Sequence, residues 1–199
     1  MSDDEKLFTD GKAYERRMGR WSRVVGEAFL DWLAVPKGLR WLDVGCGNGA
    51  FTEVLIARCA PAAVSAIDPS EGQLSYARTR PEAKLAEFRV GDAQALPYPD
   101  RCFDAAAMAL VISFVPDPIK AVAEMMRVVR PGGWVAAYMW DLPGGGIPVE
   151  TIDNTDDRAA GVCLCHDNLY GVAGGAINRS HLADVPYVVC WRLATFAAC

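Results

Sequence analysis

Histidine is nearly missing from this chain: His166 and His181 are the only two among 199 residues. Both lie far from the chain's recognisable motifs, so neither is taken as a general base. Positive charge is not in excess either. A net charge of -5 and a pI near 5.1 exclude the broad basic surface that binds nucleic acid or anionic membrane. Arg16, Arg17, Arg20 and Arg23 cluster locally, and read as a solvated helix face. Long apolar runs are also lacking. The longest, residues 105–115 with only Ser113 interrupting, stops at Pro116 and is too short to cross a bilayer. The acidic start Met1-Ser2-Asp3-Asp4-Glu5 is no signal peptide, and there is no internal repeat. The seven cysteines therefore read as reduced thiols of a cytoplasmic protein. Cys163-x-Cys165-His166 lacks a fourth ligand at a sensible spacing, so no metal is expected.

What remains is the composition of a folded domain: 52% hydrophobic, 23% charged and 10% aromatic residues. Over residues 13–33 the positions Tyr14, Met18, Trp21, Val25, Phe29 and Trp32 recur every three or four residues, which predicts an amphipathic helix ended by Pro36 and Gly38. Strands are expected at 39–44, 63–67, 86–90, 103–111 and 134–140. Helices are expected at 51–59, in the stretch holding Leu74, Tyr76 and Ala77, and from Asp117-Pro118 to the break at Pro131-Gly132-Gly133. Such alternation implies right-handed crossovers and an α/β, Rossmann-like, doubly wound parallel sheet. Beyond residue 142 the pattern fails. Gly144-Gly145-Gly146 is a break, residues 150–199 hold no lysine, and only 187–196 reads as a strand. The expected organisation is an N-terminal helix over 1–34, a cofactor-binding core over 35–142 and an atypical tail of unknown role over 143–199.

The glycine loop Asp43-Val44-Gly45-Cys46-Gly47-Asn48-Gly49 joins the first strand to a helix, where backbone approaches a ligand closely and aims free N–H groups at it. Gly45-x-Gly47-x-x-Ala50 also satisfies a relaxed dinucleotide fingerprint, so an NAD- or FAD-dependent oxidoreductase is the competing reading. Charge discriminates. A pyrophosphate is repelled by Asp43, whereas the sulfonium and ammonium of S-adenosylmethionine are attracted, directly or through water. Opposite charges ~4 Å apart at an effective dielectric of ~20 gain about 4 kcal/mol before desolvation. Asp68, at the second strand end, suits the ribose hydroxyls. Asp92 and the backbone of Ala93, at the third, suit adenine.

The runs 41–49, Ile67-Asp68-Pro69-Ser70, 90–98 and Arg130-Pro131-Gly132-Gly133 resemble the successive motifs of class I methyltransferases, in particular those similar to ubiquinone/menaquinone-biosynthesis methyltransferases. The resemblance covers residues 11–142. It implies an S-adenosylmethionine-dependent methyltransferase acting on a small-molecule acceptor. Gly45, Gly47 and Gly49 would carry the methionine portion, Asp68 with Pro69 the ribose, and Asp92 with Ala93 the adenine, with Leu110 beside the site. Tyr14, Arg20, Trp21 and Ser22 on the N-terminal helix would lid the methionine end. The fourth strand ends without the Asn/Asp-Pro-Pro-aromatic turn of enzymes resembling the amino-methyltransferases, which argues against nucleobase amines. Two features depart from the family: Ala109 stands where a polar side chain is expected, and the tail offers one strand where an antiparallel pair is expected. A folded cofactor-binding remnant is the second rival.

Overall fold

The computed structural model describes Lys12, residues 15–140 and the backbone of residues 188–194, with the side chains of Arg17 and Arg20 outside the described set. Tyr14, the break at 144–146, both histidines and the Cys163-x-Cys165-His166 cluster also lie outside it.

Five strands are parallel: β1 (Arg40–Val44), β2 (Ala63–Asp68), β3 (Ala86–Val90), β4 (Phe103–Ala109) and β5 (Val129–Trp140). A sixth, β6 (Val188–Ala194), runs antiparallel to β5 and completes the order β3-β2-β1-β4-β5-β6. The helices are α1 (Arg20–Leu33), α2 (Ala50–Cys59), α3 (Glu71–Ala77) and α4 (Pro118–Val128). The expected α/β doubly wound sheet is therefore the fold, and β6, within the strand expected at 187–196, covers the edge of β5.

Burial on both faces explains the strand sequences. Trp41, Leu42, Asp43 and Val44 of β1 are all fully buried, as are Ala105, Ala107 and Met108 of β4. One apolar layer joins Val25, Phe29 and Leu33 of α1 to Phe51 and Leu55 of α2 and to Tyr138 of β5. Phe29, Phe51 and Tyr138 form its aromatic centre, with ring centroids 4.5–6.0 Å apart. The opposite layer packs Ala121, Met125 and Val128 of α4 on Leu42, Ala106 and Val135.

Three boundaries differ from expectation. The N-terminal helix begins at Arg20, and Glu15–Gly19 instead forms one turn of wide π-type helix. β4 ends two residues early, because Leu110 turns to a left-handed φ of 60° and donates its N–H to the Tyr138 carbonyl at 2.9 Å. Pro131-Gly132-Gly133 does not separate α4 from the fifth strand. β5 follows α4 directly, and these residues lie where its register to β4 slips, Phe103 pairing Val129 but Ala105 pairing Trp134. Proline cannot donate to the ladder, and Gly132 takes a φ of 75°.

Candidate functional site

The carboxyl ends of β1, β2, β3 and β4 open on one cavity of about 590 Å³. Its floor is the loop after β1. The Gly45 and Cys46 N–H groups both donate to the Ile67 carbonyl, at 2.7 and 3.0 Å, which locks the loop against β2. Gly45 has φ 74°, and a Cβ there would stand 2.5 Å from Val111 Cγ1. Gly47 has φ 50°, lines the cavity, and leaves nothing within 4 Å of where a Cβ would sit. A ligand can therefore approach its backbone closely. Gly49 does not line the cavity. With φ 80° it starts α2.

Asp68 is 8% exposed and lines the cavity beside Pro69. Its Oδ2 accepts from the Gly47 N–H at 2.9 Å and its Oδ1 from the Ser70 N–H at 2.8 Å. Each oxygen keeps a further lone pair for a ligand hydroxyl. Burial raises its pKa, and the two N–H bonds only partly offset that. Asp92 and Ala93 line the same cavity. The Gln94 backbone N–H donates to Asp92 Oδ1 at 2.8 Å, and its side-chain amide to both oxygens at 3.2 Å, which holds the carboxyl below the usual range.

Asp43 is placed otherwise than the charge argument assumed. It is fully buried and lies behind the loop rather than in the cavity wall. Thr52 Oγ1 donates to its Oδ2 at 2.6 Å, and its Oδ1 has no partner among the described residues. Burial first, opposed by the Thr52 bond and reinforced by the Asp68 carboxylate, raises its pKa from 3.8 to about 7.

The other wall comes from the N-terminal segment and the strand ends. Met18 and Ser22 line the cavity with Leu110, Phe51 and Tyr138. Trp21 packs against the apolar core and is not in the wall; the Arg20 side chain and Tyr14 lie outside the described residues. Met18, read from the sequence as one of the helix's apolar repeat positions, thus both joins the core and faces the cavity.

Sequence reasoning missed a polar cluster on the far side of the loop. Arg80, 6% exposed, donates from Nε to the Asn48 carbonyl at 2.6 Å, from one terminal nitrogen to Glu53 at 2.5 Å and from the other to Glu15. Glu15 also accepts from Arg23 and, at 3.0 Å, from Asn48 Nδ2. No local pattern marks Arg80, because its partners are remote in the chain.

These features fit an adenosine-bearing cation: a close-approach glycine, a carboxylate with free lone pairs at the second strand end, and an unpartnered acidic oxygen just behind the loop. Residues 42–137 match the family model described as a methyltransferase domain. Those residues carry the sequence signature of a class I methyltransferase domain. This methyltransferase domain is similar to the ubiquinone/menaquinone biosynthesis C-methyltransferase UbiE of Dinoroseobacter shibae, 38% identical over 134 residues that make up 65% of this chain and 54% of that protein. It is also similar to the malonyl-(acyl-carrier protein) O-methyltransferase of Pectobacterium atrosepticum, 34% identical over 60% of this chain and 46% of that protein. Among solved structures it is similar to an S-adenosylmethionine-dependent methyltransferase of Thermotoga maritima, titled a possible histamine N-methyltransferase. That match has a TM-score of 0.56, at 26% identity over 70% of this chain and 61% of that one. The chain spans about half the length of the curated relatives it matches.

Proposed function

We propose that this chain is an S-adenosylmethionine-dependent methyltransferase that methylates a small-molecule acceptor. One observation carries the reading: the glycine loop, Asp68 and Asp92-Ala93, from three successive parallel strands, line a single cavity. The methyltransferase-domain match over residues 42–137 implies the same methyl donor. Residues 1–34 would supply the lid, 35–142 the cofactor-binding core and 143–199 a further part of unassigned role.

When bound, S-adenosylmethionine supplies a methyl carbon already activated by its sulfonium. The protein's share is placement and exclusion of water. Asp68 would accept the ribose hydroxyls, and Asp92 with the Ala93 backbone would read the adenine edge. Gly45 and Gly47 would admit the methionine portion against bare backbone. Met18 and Ser22 would close the water-facing side. Asp43 would act from behind the loop by charge. The relatives' names cover a C-methyltransferase of ubiquinone/menaquinone biosynthesis and an O-methyltransferase of malonyl-(acyl-carrier protein), so they single out no one acceptor or acceptor atom. The net charge of -5 disfavours nucleic acid as acceptor, and no helix among the described residues is long and apolar enough to cross a membrane.

Calorimetric titration with S-adenosylhomocysteine, and with NAD as control, tests the reading. The thioether is expected to bind and NAD not to; tight NAD binding alone overturns the proposal. Asp68→Ala is expected to weaken thioether binding at least about tenfold, through lost bonds to a charged acceptor. Unchanged affinity would place the ribose elsewhere.

A further inference from the structure

We propose that Glu15 and Arg80 form a latch that fastens the N-terminal wall of the cavity to the glycine loop, and so sets how long the cofactor stays bound. The inference rests on the cofactor reading above and adds two positioning residues to it.

Three observations carry the latch. First, Arg80 is almost wholly buried and spends its guanidinium on three separate pieces of chain: the Asn48 carbonyl in the loop, Glu53 on α2 and Glu15 before α1. A planar five-donor fork can serve three such acceptors at once, which an ammonium on a flexible stem does poorly. Second, Asn48 is tied from both sides. Its carbonyl accepts from Arg80, its Nδ2 donates to Glu15, and its Oδ1 accepts from the Ala50 N–H at 3.2 Å, so the loop and the segment at Glu15 are fixed to each other. Third, the segment so fixed is the one that carries Met18 and Ser22 into the cavity wall. Gly19 makes room for this. A Cβ there would collide with the Glu15 carboxylate, and the wide turn Glu15–Gly19 brings that carboxylate back over the glycine.

The charges are consistent with a closed latch. Burial raises the Glu15 pKa, but the guanidinium groups of Arg80 and Arg23 overcome it, so the carboxyl is held below its ordinary range and stays ionised. With Glu53 the cluster has two cations and two anions, and it is shielded from solvent mainly at Arg80. Losing one partner leaves the other charge poorly compensated, so the segment should lift. Neither residue touches the cavity, and both act through Asn48, Met18 and Ser22.

The test uses the full chain and S-adenosylhomocysteine, with dissociation followed by stopped flow and backbone opening by hydrogen exchange. Glu15→Gln is expected to raise the dissociation rate at least about tenfold while the association rate changes less than about threefold. Exchange at residues 15–22 should rise in the ligand-free protein while that of α2 stays protected. Gly19→Ala removes no latch atom and favours helix. It should raise the dissociation rate in the same way, by displacing the Glu15 carboxylate. Arg80→Lys should recover part of what Arg80→Met loses, and Glu15→Gln combined with Arg80→Met should be no worse than Arg80→Met alone. Unchanged dissociation and exchange in Glu15→Gln and Gly19→Ala overturn the latch, as do independent effects in the double variant. If the wild-type chain binds no thioether, the cofactor reading falls, and the exchange of residues 15–22 still decides whether the latch exists.

Discussion

Asp43 carries an energetic conflict that its neighbours only partly resolve. One oxygen is bonded to Thr52, the other is unpartnered among the described residues, and the Asp68 carboxylate raises the pKa further. Because the folded-state pKa lies near 7, above the ordinary 3.8, the folded chain holds a proton that the unfolded chain releases between those values. Stability from this group is therefore complete below about pH 4 and is lost as pH rises through about 7, a loss on the order of 4 kcal/mol. Asp43→Asn keeps an acceptor for Thr52 and removes the titration. Thermal melts of the ligand-free protein should show the variant more stable than wild type near pH 8 and similar near pH 4. Parallel curves across that range would mean that Asp43 does not titrate as described. A cation bound in front of the loop relieves the same conflict, so a residue that destabilises the empty fold favours the loaded one.

At the scale of elements, local chemistry explains most boundaries. Asp117 caps α4 by accepting the Lys120 N–H at 3.0 Å, with Pro118 in the first turn, as the Asp-Pro pair indicated. Asp117→Ala should cost about 1 kcal/mol in denaturant unfolding without altering thioether affinity. β3 occupies the residues expected for it, ending at the turn signal Gly91-Asp92. Other features had no local signal. On β1 both faces are buried, so no alternation of polarity tells which way Asp43 points, and its place behind the loop was not legible. The apolar run after β4 continues through Val111, and only a tertiary bond from Leu110 to Tyr138 ends the strand. The ties of Arg80 to Glu15 and Asn48 cross so much sequence that no spacing rule reaches them. The motif-bearing walls of the cavity could be read from the sequence; the brace behind them could not.

At the scale of the molecule, the sheet depends on a strand from far along the chain. β5 would present an open backbone edge were β6 not paired along it from Val135 to Trp140. A chain ended before Val188 is expected to elute as larger species than the full chain in size-exclusion chromatography. An unchanged elution profile would show that β6 is dispensable for covering that edge.

The same feature has a kinetic side. Synthesis delivers β5 by Trp140 and β6 only from Val188. At ~5–20 residues per second, the nascent sheet waits for seconds with that edge unpaired. The window falls during translation, so the yield of folded protein in a cell should depend on elongation speed and chaperone supply as well as on the equilibrium stability of the finished domain.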